Sequence, residues 1–168
     1  SLGNEIYVET MNYKALQKKA KFKKDEEKNS KGKNKRRKRF GKSLNNKAPS
    51  TLLTILDNKL GYEGLSLNKV NTQTFKASQY NHIEDKYIKK ELSDRVNIIE
   101  NKLIQRDLYS AFLLMNSKKN LKETDRKLCL KTYDNFKKQH DILINSLINS
   151  KEKLPRSFGI NEFKKSNR

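Results

Sequence analysis

The stretch KLIQRDLYSAFLLMN, residues 102–116, decides how the rest of the chain is read. Leu108, Ala111, Phe112 and Met115 fall at i, i+3, i+4 and i+7, the spacing of one face of an α-helix. That spacing predicts a helix over 106–116 with this face buried. Asp107 stands at its opening, one residue after Arg106. An acid in the first turn meets the helix macrodipole and the free N–H groups favourably, by about 0.3–1 kcal/mol. A second reading pairs it with a distant carboxylate on a hard divalent cation, which takes oxygen ligands. The residues alone leave both readings open.

Downstream, Thr124 is placed to N-cap a long helix. In it Cys129, Tyr133, Phe136, His140, Leu143, Ile144, Leu147 and Ile148 keep helical spacing to about Ser150. His140 and Cys129 fit this stripe as core residues, and the stripe serves as core or as a surface for a partner helix. The final stretch reads as an irregular tail, because Pro155 and Gly159 interrupt any helix. Residues 119–168 therefore form a long helix plus a tail.

Upstream, residues 76–102 show no sustained period and read as largely surface. LSLNKVNTQTF, residues 65–75, reads as a strand. Before it, Ala48, Leu52, Leu53, Ile55, Leu56 and Leu60 make a wide apolar stripe. Pro49 is tolerable only in a first turn, so this helix should begin near Asn46, with Gly61 ending it and Gly64 completing the turn. NEIYVETMN alternates, Ile6 and Val8 against Glu5, Tyr7 and Glu9, and predicts a strand with Glu9 at its C-terminal end. A helix can start after Met11 and Asn12.

The chain has 168 residues, 33% of them hydrophobic, against about 45–50% in globular domains. A core is feasible only because the apolar residues concentrate in 44–60, 103–115 and 128–148. Net charge is +20, and residues 14–42 alone hold fifteen Lys or Arg against three acids. This segment reads as a mobile basic insertion, either a solvated charge run or an arm for polyanions. Lys33, Lys35, Arg36, Arg37, Lys38, Arg39 and Lys42 are its candidate phosphate contacts. Guanidinium groups pair bidentately with phosphate, and each phosphate neutralised makes affinity fall with salt. Membrane is the weaker partner, since no apolar run nears a ~20-residue span and the basic run lacks an apolar face. The single cysteine offers no disulfide frame and no zinc site, which fits a reducing cytoplasm. The first residue is Ser1, not Met, which suggests a fragment or a processed start.

Taken in order, YVETMNYKALQK, a basic loop, RFGKSLNNKAPSTLLTILDNKLGYEGLSLNKVNTQTFKASQYN and QRDLYSAFLLMN resemble the C-terminal part of TnpB-type insertion-sequence proteins. These are transposon-encoded relatives of RuvC nucleases. The resemblance covers residues from about 3 to 116. It implies an α/β (α+β) chain with a partial RNase H-like (RuvC-like) fold over 1–118, interrupted by the basic insertion at 14–42. It implies that Glu9, in YVETMN, and Asp107, in the RD pair, are the second and third catalytic acids and hold Mg²⁺. Arg106 would contact nucleic acid, and Ser78 and Gln79 would orient substrate or a water near the metal. DNA is the implied partner, with a guide RNA possible, in a bacterial cytoplasm at the nucleoid. The family's first catalytic Asp lies upstream of its second motif, and no Asp precedes Glu9 here. Family members also carry a four-cysteine zinc ribbon between SQ and RD, whereas residues 80–105 hold no cysteine, so no zinc is expected.

The expectation is the C-terminal part of a metal-dependent DNA nuclease that is inactive as this chain alone. The alternative is a non-catalytic nucleic-acid-binding protein, a relic or a guide-dependent repressor. A basic ribosome-associated protein is a third option, and it gives Glu9 and Asp107 no role.

Overall fold

The structure is a computed structural model and describes residues 5–17, 41–91, 93–150 and 154–166. The chain is mixed α+β and divides into two compact units. One comprises Ser1–Glu5 with Thr10–Leu67; the other comprises Ile6–Glu9 with Asn68–Arg168.

The first unit is helical where described. α1 spans Tyr13–Gln17, and the Asn12 side chain caps it by accepting the Ala15 N–H at 2.9 Å. α2 spans Gly41–Lys47 and α3 spans Pro49–Tyr62. The helix expected from Asn46 is thus two helices. A residue before proline is disfavoured in the right-handed helical region, and Ala48 takes φ 41, breaking the run. Gly61 lies inside α3 and does not end it. The helix stops at Tyr62, and the turn is set three residues after Gly61, where Gly64 adopts φ 70 and the Leu65 N–H closes onto the Leu60 carbonyl at 2.9 Å. The apolar stripe is mostly not core: only Leu60 is buried, while Leu52 and Ile55 are 57% and 52% exposed.

In the second unit β1 (Tyr7–Glu9) pairs in parallel with β2 (Asn68–Val70), placing Glu9 opposite Val70. Parallel strands require a long connection, and the intervening chain is that crossover. The strand expected over 65–75 is confined to β2. Asn71 then caps α4 (Thr72–Phe75), accepting the Gln73 N–H at 2.8 Å. After a 3₁₀ turn at Ala77–Gln79, β3 (Tyr80–Asn81) pairs with β4 (Lys86–Tyr87). β5 (Val96–Ile99) and β6 (Lys102–Gln105) form an antiparallel hairpin. Its two-residue turn, Glu100 and Asn101, has φ 49 and 61, the positive values that match the twist of paired strands. Residues 76–102 are therefore structured and partly core, with Tyr80, Asn81, His82, Asn97 and Ile99 buried.

α5 spans Arg106–Met115, as the periodicity predicts, but its buried face is rotated by one residue. Tyr109, Phe112, Leu113 and Asn116 are buried, while Ala111 is exposed and Met115 is 56% exposed. The spacing is the same and starts at Tyr109 in place of Leu108. α6 spans Arg126–Asn149; Asp125, not Thr124, caps it by accepting the Leu128 N–H at 3.1 Å. Thr124 instead sits in a bridge with Ser117. The expected irregular tail contains α7 (Ile160–Ser166), which starts directly after Gly159 and packs on α6 through Ile160 and Phe163. Gly159 takes φ 68, and a Cβ there would lie 2.7 Å from the Arg95 Cβ. The glycine thus permits the close approach that seats the tail.

The core of this unit is aromatic. Phe112 and Phe136 stack with centroids 4.5 Å apart, and His82 meets Tyr133 edge-on at 4.6 Å. Such pairs add about 0.5–1.5 kcal/mol each beyond their buried area. Among the described residues no helix is long and apolar enough to cross a membrane.

Candidate functional site

Glu9 ends β1 and is half-buried; Asp107 is the second residue of α5, its side chain 65% exposed. Burial and the negative charge of Asp107 together raise the Glu9 pKa above the usual carboxylate range. The fold therefore brings these two acids into each other's field across most of the chain. Asp107 is not the helix cap. Gln105 does that work, its Oε1 accepting the Leu108 N–H at 2.7 Å. Among the described residues Asp107 has a loose contact at 3.4 Å with the Arg106 Nε, longer than a good hydrogen bond.

The cap is itself held from behind. The Gln105 backbone N–H donates to His140 Nε2 at 3.0 Å, and His140 Nδ1 lies 3.0 Å from Asp141 Oδ1. An imidazole nitrogen that accepts cannot carry the hydrogen, so Nδ1–H donates to Asp141. A histidine on α6 thus positions the residue that starts α5, two places before Asp107. His140 is buried as expected, but its contact with Gln105 is not visible in helical spacing.

His82 is fully buried, its Nδ1 2.6 Å from the Tyr109 hydroxyl, which also accepts the His82 backbone N–H at 3.2 Å. Burial pushes its pKa down to about 4, so it is a neutral core group. Arg126 donates to the carbonyls of His82 and Ile83 and ties this segment to α6. Cys129 is buried, and its thiol pKa is pushed up to about 12.

Ser78 is exposed and Gln79 half-buried in the 3₁₀ turn, which packs against α5. Their neighbourhood to the helix is clear, but among the described residues neither side chain bonds to Glu9 or Asp107. Lys33, Lys35, Arg36, Arg37, Lys38 and Arg39 lie outside the described residues; Lys42 belongs to α2. Among the described residues no group of three or more His, Cys, Asp or Glu is arranged to hold a metal ion. A pair of carboxylates still suits Mg²⁺, which commonly uses one or two plus water and phosphate.

A cleft of about 610 Å³ lies elsewhere in the same unit, between β4 and the start of α6. Its charges are largely occupied with one another: Lys118 with Glu123 at 2.9 Å, and Tyr80 with Asp85 at 2.7 Å.

Sequence reading missed Lys90. It is half-buried, and its ammonium donates to the Asn97 Oδ1 at 2.6 Å. Nothing in the local pattern of a Lys-rich stretch separates it from its exposed neighbour Lys89.

No family model, curated protein or solved structure matches this chain.

Proposed function

We propose that this chain is the C-terminal part of a TnpB-type, transposon-encoded DNA nuclease with an incomplete RNase H-like site and no zinc ribbon. The observation that carries the reading is the packing of β1, which ends in Glu9, against α5, whose first turn holds Asp107, with the charge of Asp107 raising the Glu9 pKa. The parallel β1–β2 pair, joined by a long crossover, supports a partial fold of that kind. Glu9 and Asp107 would hold Mg²⁺, which when bound supplies Lewis-acid polarisation of a phosphodiester and an activated water. Gln105 and His140 keep Asp107 at the start of α5. The basic residues of 14–42 and Arg106 hold the backbone of DNA, or of a guide RNA, in the bacterial nucleoid. The family's first acid has no counterpart before Glu9, so the chain alone is inactive in this reading.

The test is Mn²⁺ titration of the ¹⁵N-labelled chain, followed by DNA cleavage assays with Mg²⁺. Paramagnetic broadening should centre on Glu9 and Asp107, disappear in a Glu9→Gln, Asp107→Asn double variant, and occur without cleavage. Absence of broadening at both acids defeats the metal reading. Cleavage that Asp107→Ala abolishes defeats the claim of inactivity. A second reading, a non-catalytic nucleic-acid binder, is favoured by the absence of a three-acid group among the described residues. It predicts DNA binding that the double variant leaves unchanged.

A further inference from the structure

The open end of the β5–β6 hairpin gathers positive charge. Val96 opposes Gln105 in the last pair of the ladder, and one position further the Arg106 N–H donates to the Arg95 carbonyl at 3.0 Å, so the backbones of the two arginines meet where the hairpin runs into α5. Like charges set against each other at paired strands destabilise a hairpin. Lys90 adds a third cation here: its ammonium is tied to the Asn97 side chain at 2.6 Å, and the charge of Arg106 acts on it.

These cations are poorly compensated. Lys90 is half-buried, yet its partner is a neutral amide, and among the described residues it makes no ion pair. A buried ammonium without a carboxylate is costly. The Asn97 side chain is itself buried, and among the described residues its Nδ2 has no partner. The Arg106 side chain is only 16% exposed, and among the described residues it spends just its Nε, loosely, on Asp107. The charge of Asp94 reaches Lys90 and raises its pKa, but among the described residues the two make no ion pair, and Asp94 Oδ2 accepts the Glu91 N–H at 3.0 Å. Burial and, after it, the charge of Arg106 outweigh Asp94, and the Lys90 pKa is lowered.

The geometry points to a phosphodiester-binding site formed by Lys90 and Arg106, with the free Asn97 amide beside it, adjoining Asp107. A single phosphate monoanion would pair with the ammonium and accept from the guanidinium Nη groups, relieving the repulsion between them. The site rests on the nuclease reading only in naming nucleic acid as the source of the phosphate. In that setting it would seat the backbone next to the candidate acid Asp107.

The test uses the full ¹⁵N-labelled chain in EDTA, titrated with thymidylyl-(3′→5′)-thymidine, which carries one phosphodiester, and with thymidine as the phosphate-free control. The dinucleotide should shift the Asn97 side-chain amide and the Arg106 Nε–H, and thymidine should not. Lys90→Gln and Arg106→Gln should each weaken binding about tenfold, the scale of one charge-assisted hydrogen bond, while Lys90→Arg stays close to wild type. Shifts confined to residues 14–42, or Lys90→Gln binding like wild type, would overturn the site. If Lys90→Gln fails to fold, the wild-type shift map and Arg106→Gln decide. The Mn²⁺ experiment reads the acids separately. Phosphodiester shifts without Mn²⁺ broadening retain this site and reject the nuclease; broadening without the shifts does the reverse.

Discussion

Helix α3 carries Leu52, Leu53, Ile55, Leu56 and Leu60, and helix α5 carries Leu108, Tyr109, Phe112, Leu113 and Leu114. Both show an apolar stripe of helical period. In α5 the stripe is covered by the hairpin, by the 3₁₀ turn and by α6, and Tyr109 and Leu113 are fully buried. In α3 Leu60 alone is buried. Periodicity therefore identifies a helix but does not guarantee a core; burial depends on what the fold sets against the stripe. α5 also divides its work along its length. Its last two turns anchor the aromatic core, and its first turn holds Arg106 largely covered and presents Asp107 outward.

The comparison is sharpest at Phe112, whose ring touches those of His82, Tyr109, Tyr133 and Phe136. Phe112→Ala should lower the unfolding free energy by about 3–5 kcal/mol in urea titrations. A loss no greater than that of an α3 substitution would break the contrast. The next effect comes from acid. His82 has a folded pKa of about 4 against an ordinary 6.5, so the unfolded chain binds more protons between these values. Stability should be fully present above pH 6.5 and fall as pH drops through 4. The whole window amounts to about 3 kcal/mol from this group. Urea midpoints measured against pH should show this slope, and His82→Asn should flatten it.

Glu9 carries the opposite sign. Its folded pKa is raised, so its charged form opposes folding at neutral pH, and protonation on acidification relieves that cost. Glu9→Gln should raise the urea midpoint of the metal-free chain at pH 7, a small gain typical of a residue kept for binding. A lowered midpoint would make Glu9 an ordinary structural acid. Leu52→Ala should be nearly silent, within about 0.5 kcal/mol, because the side chain is already 57% exposed. A loss of several kcal/mol there would mean that α3 buries its stripe after all.

Much of the chain could be read from neighbouring residues. The β1 strand, the extents of α5 and α6, the burial of Cys129 and His140, and the concentration of charge in 14–42 were all legible. Helical period, strand alternation and net charge are carried by consecutive side chains. The tertiary structure alone decided the rest. Tyr109 displaces Leu108 as the start of the buried face because its hydroxyl finds His82. The stretch at 76–102 lacks a period because short strands, turns with positive φ and buried polar residues such as Asn97 alternate within it. Asp125 displaces Thr124 as the α6 cap, and Gly159 permits a helix where it was expected to block one. The raised pKa of Glu9 and the charge of Arg106 felt by Lys90 arise from groups far apart in sequence. Coulomb fields and desolvation act through space, and no local pattern of residues encodes them.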